Sequence, residues 1–381
     1  MSTELPEIRA ARKNDHVELA SSQRTHLSTH RDFDDVQFLH HALAGISTDR
    51  VDLSVRVADW RWSAPFYING MTGGTVFTGE LNRELAIAAR ETGISMACGS
   101  MSIAVDAPDD PAVQQSFRVI RDENPHGFVM ANLGIGRPPD DAVRAVELLQ
   151  ADALQVHLNA VQETAMPEGN REFSDWERSL AGLIDASPVP VVVKEVGFGL
   201  SRRTLERVSE LGAVVADVSG RGGTDFLRIE NARRDAGEGD YSMLSGFGQS
   251  AMECLLDAPP NGPELLASGG VRHAYDVVKC LAVGARAVGV AGTFLETVRT
   301  GGAEALIPLI LRWKQQITAI FALLGATDSE ALRSTDLLVR GRLLEYCELR
   351  GIDASSYARR SSSKSLATNA NVASPNRSSE Q

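Results

Sequence analysis

The sequence predicts an α/β protein built on one (β/α)8 barrel over residues 31–358, with an N-terminal arm over 1–30 and a disordered tail over 359–381. Three observations carry this. Eight short β-like runs alternate with helical patterns. The repeating units together fill a stretch of the size such a barrel occupies, about 250 residues. The runs end, one after another, in Gly or polar residues, as strands do when they open onto the functional face of a barrel. A doubly wound open sheet is the alternative architecture, but eight evenly spaced units are more than that fold needs.

The runs are PFYING (65–70), ISMACGS (94–100), GFVMANLG (127–134), ALQVHLN (153–159), VPVVVKEVG (189–197), AVVADVSG (213–220), ELLASGG (264–270) and AVGVAG (287–292). Between them, GELNRELAIAARETG has the 3.6-residue period and a Gly stop. PPDDAVRAVELLQ places Pro and acids in its first turn. SRRTLERVSELG starts on a Ser cap and ends in Gly. In the fourth run Leu154, Val156 and Leu158 alternate with Gln155, His157 and Asn159. The apolar set is expected to pack on helices. His157 and Asn159 are expected to line the barrel mouth, with Gln155 deeper.

Composition narrows the function. A hydrophobic share of 43% supports a substantial core, and a net charge of −12 argues against a nucleic-acid or anionic-lipid surface. An anionic small molecule needs only a local basic pocket and stays open. Cys98, Cys254, Cys280 and Cys347 show no CxxC spacing; three of them lie in apolar or helical contexts and are expected to pack as small hydrophobes, which suits a reducing cytoplasm. The polar start is no signal peptide, and no apolar run approaches the roughly 20 residues of a membrane span. The tail, rich in Ser and Asn, lacks the apolar residues that would offset ordering entropy.

The strand ends carry the candidate chemistry. Gly269 and Gly270 follow the seventh run, and Gly292 opens a helix after the eighth. Glycines there let backbone N–H groups approach a phosphate, and a helix N-terminus adds its dipole. A single such Gly merely ends a strand; the three together point to phosphate. Lys194 sits in an apolar strand, where an ammonium calls for an anion, either a salt-bridge partner or a bound cofactor. Its neighbour Glu195 faces the other way and is a poor partner. Glu163, just past the fourth strand, is either a solvated loop residue or a Mg2+ ligand completed by substrate oxygens.

Taken together, RKNDH, MTGG, ANLG, QVHLNAVQE, MPEGNR, VVVKEVGFG, VSGRGGTDFLRIE, ASGGVR and VGVAGTFLE resemble the type 2 isopentenyl-diphosphate isomerases, from about Arg12 to Gly351. HLN followed by QE and MPEG is the specific part. The resemblance implies a barrel of the FMN-binding type, with Met71, Thr72, Gly73, Ser100, Asn132, Lys194, Ser219, Thr224, Gly269, Gly270, Ala291 and Gly292 around FMN. It implies that Arg12, Lys13, His157 and Asn159 hold a prenyl diphosphate, with Ser100, Met101 and Ser102 beside it. Gln162 would be the catalytic residue at the alkene and Glu163 the Mg2+ ligand. The family's common GSQR stands here as GSMS, so Ser102 stands where the family often has an arginine that helps with diphosphate, which implies either weaker diphosphate binding or a burden shifted to Arg12, Lys13 and Mg2+.

The implied reaction adds a proton to an unactivated alkene and removes another from the carbon next to that alkene, so that the double bond moves by one position. NADPH serves only to reduce the flavin. The family also implies a homo-oligomer of four or eight chains. A rival on the same barrel, an FMN-dependent 2-hydroxy-acid oxidase, needs a His base on the strand-six side, and VSGRGGT has none. A catalytically inactive phosphate- or flavin-binding barrel is the other alternative, and intact Gln162, Glu163 and Lys194 speak against it.

Overall fold

A computed structural model describes residues 6–23, 31–234 and 239–361. Eight parallel strands close on themselves in sequence order. They are β1 (Phe66–Ile68), β2 (Met96–Ala97), β3 (Val129–Gly134), β4 (Ala153–His157), β5 (Val191–Lys194), β6 (Val215–Asp217), β7 (Glu264–Ser268) and β8 (Ala287–Val290). Each lies inside its predicted run.

The predicted helices form for the predicted reasons. Val76–Thr92 is capped by the Thr75 side chain and stops at Gly93, whose φ of 66° is left-handed. Asp140–Leu149 carries two acids in its first turn. Ser201 accepts from the Thr204 N–H at 3.3 Å to start Arg202–Glu210.

Two small sheets escaped the sequence reading. Val36–Phe38 pairs antiparallel with Leu337–Val339, and Val55–Val57 forms a hairpin with Trp60–Trp62. Strands of three residues are too short to show a period. The hairpin closes the N-terminal end of the barrel. Trp62 sits 5.4 Å from the Tyr67 ring and 5.3 Å from the Phe128 ring, centroid to centroid.

The barrel interior is layered. Tyr67, Ala97, Met130, Ala153, Val192, Val215, Leu266 and Ala287 pack together over Trp62. Two residues further along each strand, side chains point the same way. Those positions are Asn69, Gly99, Asn132, Gln155, Lys194, Asp217, Ser268 and Gly289. An apolar layer is thus followed by a polar one. Leu154 and Val156 face outward into the helix-packed core, with Leu158 against it, as the alternation predicted.

The expected N-terminal arm contains a helix, Pro6–Gln23, which lies across the C-terminal mouth. Asn14 accepts from the Thr75 hydroxyl at 3.0 Å, and Gln23 exchanges two 2.9 Å bonds with the Asp225 backbone. At the other end, the described chain runs to Ser361, close to the expected start of the tail at Arg359. Arg360 donates to the Ala282 carbonyl at 2.6 Å, and the Ser361 N–H donates to Asp336 at 2.8 Å. The anchored chain therefore reaches Ser361. Residues 1–5, 24–30 and 362–381 lie outside the described residues. All four cysteines are free and buried, one more than the sequence reading expected to pack inside.

Candidate active site

A cavity of about 470 Å³ opens at the C-terminal mouth, beneath the N-terminal helix. It brings together residues spread from Arg12 to Gly292. Of the expected flavin set, Met71, Ser100, Asn132, Lys194, Ser219, Thr224, Gly269, Gly270, Ala291 and Gly292 line it. Thr72 and Gly73 do not line it; Thr72 is 2% exposed, and Gly73 stands against the Phe117 ring. Of the expected substrate set, Arg12, Lys13, Ser100, Ser102, His157, Asn159 and Gln162 line the cavity. Met101 does not. Its side chain is fully buried in the core, because its backbone is fixed by an N–H bond to the Asn132 carbonyl at 2.8 Å.

One side of the cavity is a glycine cradle. Gly269 and Gly270 have φ of 97° and 77°, a backbone that favours glycine. A Cβ on Gly269 would stand 1.9 Å from the Gly220 carbonyl oxygen. One on Gly223 would stand 2.7 Å from the Gly270 nitrogen. These loops approach so closely that no side chain fits. The long helix starting at Gly292 begins beside them, its first segment running to a kink at Gly301 and Gly302. Backbone N–H groups and a helix N-terminus at one spot make a phosphate site. The residues there fit a phosphorylated cofactor. Among the described residues, the buried Thr72 hydroxyl also has no hydrogen-bond partner.

The opposite wall is cationic. Lys13 donates to the Ser100 carbonyl at 3.3 Å. Burial, then the Arg12 charge, lowers its pKa to about 8. His157 meets the Asn132 side-chain oxygen at 2.8 Å through Nδ1. Burial, then Lys194 and Lys13, drives its pKa down to about 3, so the imidazole is neutral at pH 7. Crowded buried cations mark a place for an anion. Lys194 spends one donor on the Glu195 carbonyl at 2.5 Å, and the Glu195 carboxylate is turned away onto Val196, Gly197 and Phe198 N–H groups. The poor pairing expected between these two side chains holds.

Gln162 and Glu163 do not sit in a loop. They belong to a short helix, Ala160–Ala165, entered from β4, so Glu163 is not the solvated loop residue of its alternative reading. Glu163 accepts from Asn159 Nδ2 at 2.9 Å and from the Asn170 N–H at 2.8 Å, and burial raises its pKa. Gln162 donates to Glu230 Oε1 at 2.7 Å. Glu230 also meets His16 Nε2 at 3.0 Å and the Arg233 guanidinium. Burial opposes its charge, but His16, Gln162 and Arg233 outweigh that and hold the carboxyl at about 2. Because Glu230 is acceptor-only, it dictates which end of the Gln162 amide faces it.

Sequence reasoning missed Glu230, and also Glu168, which bridges Arg12 at 3.1 Å and Arg233 at 2.7 Å. A signal for Glu230 existed. It lies three residues after buried Leu227 on the helix Phe226–Ala232, an acid on an apolar face. Glu168 stands in the MPEG stretch on which the resemblance rests, but no role was read for it, because its partners stand 156 and 65 residues away. Among the described residues no cluster of three or more His, Cys, Asp or Glu could hold a metal alone. No described helix is long and apolar enough to cross a membrane.

Comparison with known proteins agrees with this geometry. A family model described as FMN-dependent dehydrogenase matches residues 128–339. The chain is 52% identical over 357 residues to an isopentenyl-diphosphate delta-isomerase of Kitasatospora griseola, covering 94% of this chain and 97% of that one. It is 53% identical to the protein of that name from Nocardia farcinica, covering 92% and 96%. The one from Staphylococcus haemolyticus is 43% identical, covering 91% and 97%. Among solved structures, a chimera of (S)-mandelate dehydrogenase superposes with a TM-score of 0.62 at 18% identity, covering 86% of this chain and 99% of that one. A flavocytochrome b2 variant superposes with a TM-score of 0.62 at 19% identity, covering 88% and 83%. At that identity the two structures speak for the barrel alone.

Proposed function

The chain belongs to the family of isopentenyl-diphosphate delta-isomerases, and from that premise we propose that it interconverts isopentenyl and dimethylallyl diphosphate with FMN and Mg2+. The observation that carries this is one cavity with a phosphate cradle on one side and a cationic wall on the other, and Gln162 on its lining. The cradle residues Gly269, Gly270 and Gly292 would hold the FMN phosphate, and Lys194 would border the flavin. Reduced FMN, when bound, supplies an electron-rich ring that offsets developing positive charge and an edge that exchanges protons. NADPH is its reductant.

Lys13, Arg12, His157 and Asn159 would bind the diphosphate. Arg12 would exchange Glu168 for substrate oxygens. Glu163 is one hard oxygen ligand, which suits Mg2+ when diphosphate oxygens complete the set. Gln162, its amide fixed by Glu230, would orient the alkene or relay a proton. The N-terminal helix keeps water from a cationic intermediate. A cytoplasmic homo-oligomer belongs to the same reading.

The family model's description, FMN-dependent dehydrogenase, keeps FMN-dependent oxidation of a 2-hydroxy acid as a second reading. The β6 loop, which would supply its histidine base, runs Ser219, Gly220, Arg221, Gly222 and Gly223. Anaerobic incubation with FMN, NADPH, Mg2+ and isopentenyl diphosphate decides between them. Dimethylallyl diphosphate is the expected product. A flavin-loaded protein that forms none overturns the proposal.

A further inference from the structure

Most of the polar layer borders the cavity, but Gln155 and Asp217 are enclosed, each at 0% exposure. Gln155 is a neutral amide bonded to Asn132 at 3.0 Å. Asp217 is a carboxylate in the middle of a barrel, and the proposed chemistry makes no use of it. Four donors converge on it: Tyr67 OH at 2.9 Å, Asn69 Nδ2 at 3.1 Å, the Ser219 N–H at 3.1 Å and Ser268 Oγ at 2.8 Å. Burial, then the Asp217 charge, pushes the Tyr67 phenol well above its ordinary pKa, so Tyr67 keeps its proton and donates. Such a donor set suits the acceptor-only, ionised carboxylate.

A buried anion is costly unless a cation faces it. The cation in reach is Lys194, its Cα partner on the adjacent parallel strand. Both side chains point into the barrel, and no hydrogen bond joins them. Their interaction acts through space, in surroundings that screen little. Of the other groups around Lys194, Glu195 alone also favours its charge, and it ranks after Asp217. His157, in register on its other side, is neutral. Lys13 is a cation that descends from the N-terminal helix, and the Glu195 carboxylate is turned onto backbone N–H groups. Cys98, across the barrel, is a thiol pushed up to about 12 by its burial.

We propose that Asp217 is a positioning residue: a fixed negative charge under the cavity floor that keeps Lys194 in its cationic form. Burial works against the Lys194 charge, and Asp217 is the first of the groups that oppose this. The consequence for catalysis rests on the reading that Lys194 borders a flavin. Without Asp217 the ammonium loses its proton more readily, and the flavin edge loses its nearest positive charge.

Cyanate carbamylates neutral amines, so the pH profile of Lys194 labelling in the full-length chain, followed by peptide mass spectrometry without added flavin, measures its protonation directly. In Asp217→Asn the midpoint should fall by at least about one pH unit, equivalent to roughly tenfold faster labelling at a fixed pH below both midpoints. Ser268→Ala removes a donor but no charge and should leave the midpoint in place. If Asp217→Asn does not fold, Asp217→Ser makes the same comparison. An unmoved midpoint in the charge-removing variant, or an equal drop in Ser268→Ala, overturns the proposal. In flavin-loaded protein, Asp217→Asn should lower the reduction potential, and its combination with Lys194→Met should match Lys194→Met alone. A chain that binds no flavin defeats the functional reading and leaves the cyanate comparison intact.

Discussion

The two interior layers of this barrel stand only two residues apart along the same strands, about 7 Å, yet they do opposite work. The lower layer, from Tyr67 to Ala287, is apolar and sealed by Trp62. The upper one holds Asn132, Gln155, Lys194, Asp217 and Ser268, and it floors a cavity. Parity, twist and neighbours are shared, so residue chemistry alone separates them. A barrel can therefore keep its stability at one end and place costly buried polar groups at the other.

That contrast can be broken at either end. The largest effect should come from Gly270→Asp. Its carboxylate would stand against the phosphate in a cradle bounded by Gly222 at 3.0 Å. FMN retention, read from absorbance after gel filtration, should be lost while circular dichroism stays that of a folded barrel. Undiminished flavin content would remove the phosphate assignment.

Trp62→Ala attacks the other end. Emptying a site that is 2% exposed should cost about 3–5 kcal/mol in denaturant unfolding. Turnover per folded molecule at low temperature should be unchanged. A loss of turnover in the folded fraction would mean that the two layers are not independent.

Gln162→Ala should lower kcat by about 10²-fold, the range of a positioned proton-transfer group, with a smaller rise in KM and normal FMN content. A kcat within about threefold of the parent would make Gln162 a spacer beneath the N-terminal helix.

A subtler effect concerns pH. The Lys13 ammonium has a pKa near 8, so it is charged below that value and neutral above it. Substrate affinity should therefore be highest below pH 8 and weaken by up to about tenfold per unit above it, with KM as the readout. In Lys13→Arg, whose charge persists, this alkaline limb should disappear; if it stays, another group carries it.

Much of this was legible before any coordinates. The eight runs were found because buried parallel strands and amphipathic helices leave strong periods, and Gly and Ser mark their ends. The polar face of β4 could be read from alternation alone, and so could the outward course of Leu154 and Val156. The Trp60–Trp62 hairpin could not, since three residues carry no period. Nor could the direction of Met101, which stands between the cavity-lining Ser100 and Ser102 and turns into the core.

What the sequence determined by itself was the list of barrel strands and the kinds of groups at their ends, because both depend on neighbours within a few residues. What only the tertiary structure decided was who meets whom. Glu230 reaches Gln162 across 68 residues, and Asp217 meets Tyr67 across 150. Closure of the barrel sets these pairings, since it turns a residue's height on its strand into a shared layer. A carboxylate 150 residues from its donor leaves no local trace, because the energy that favours the pair exists only after the chain has brought both into the same dry interior.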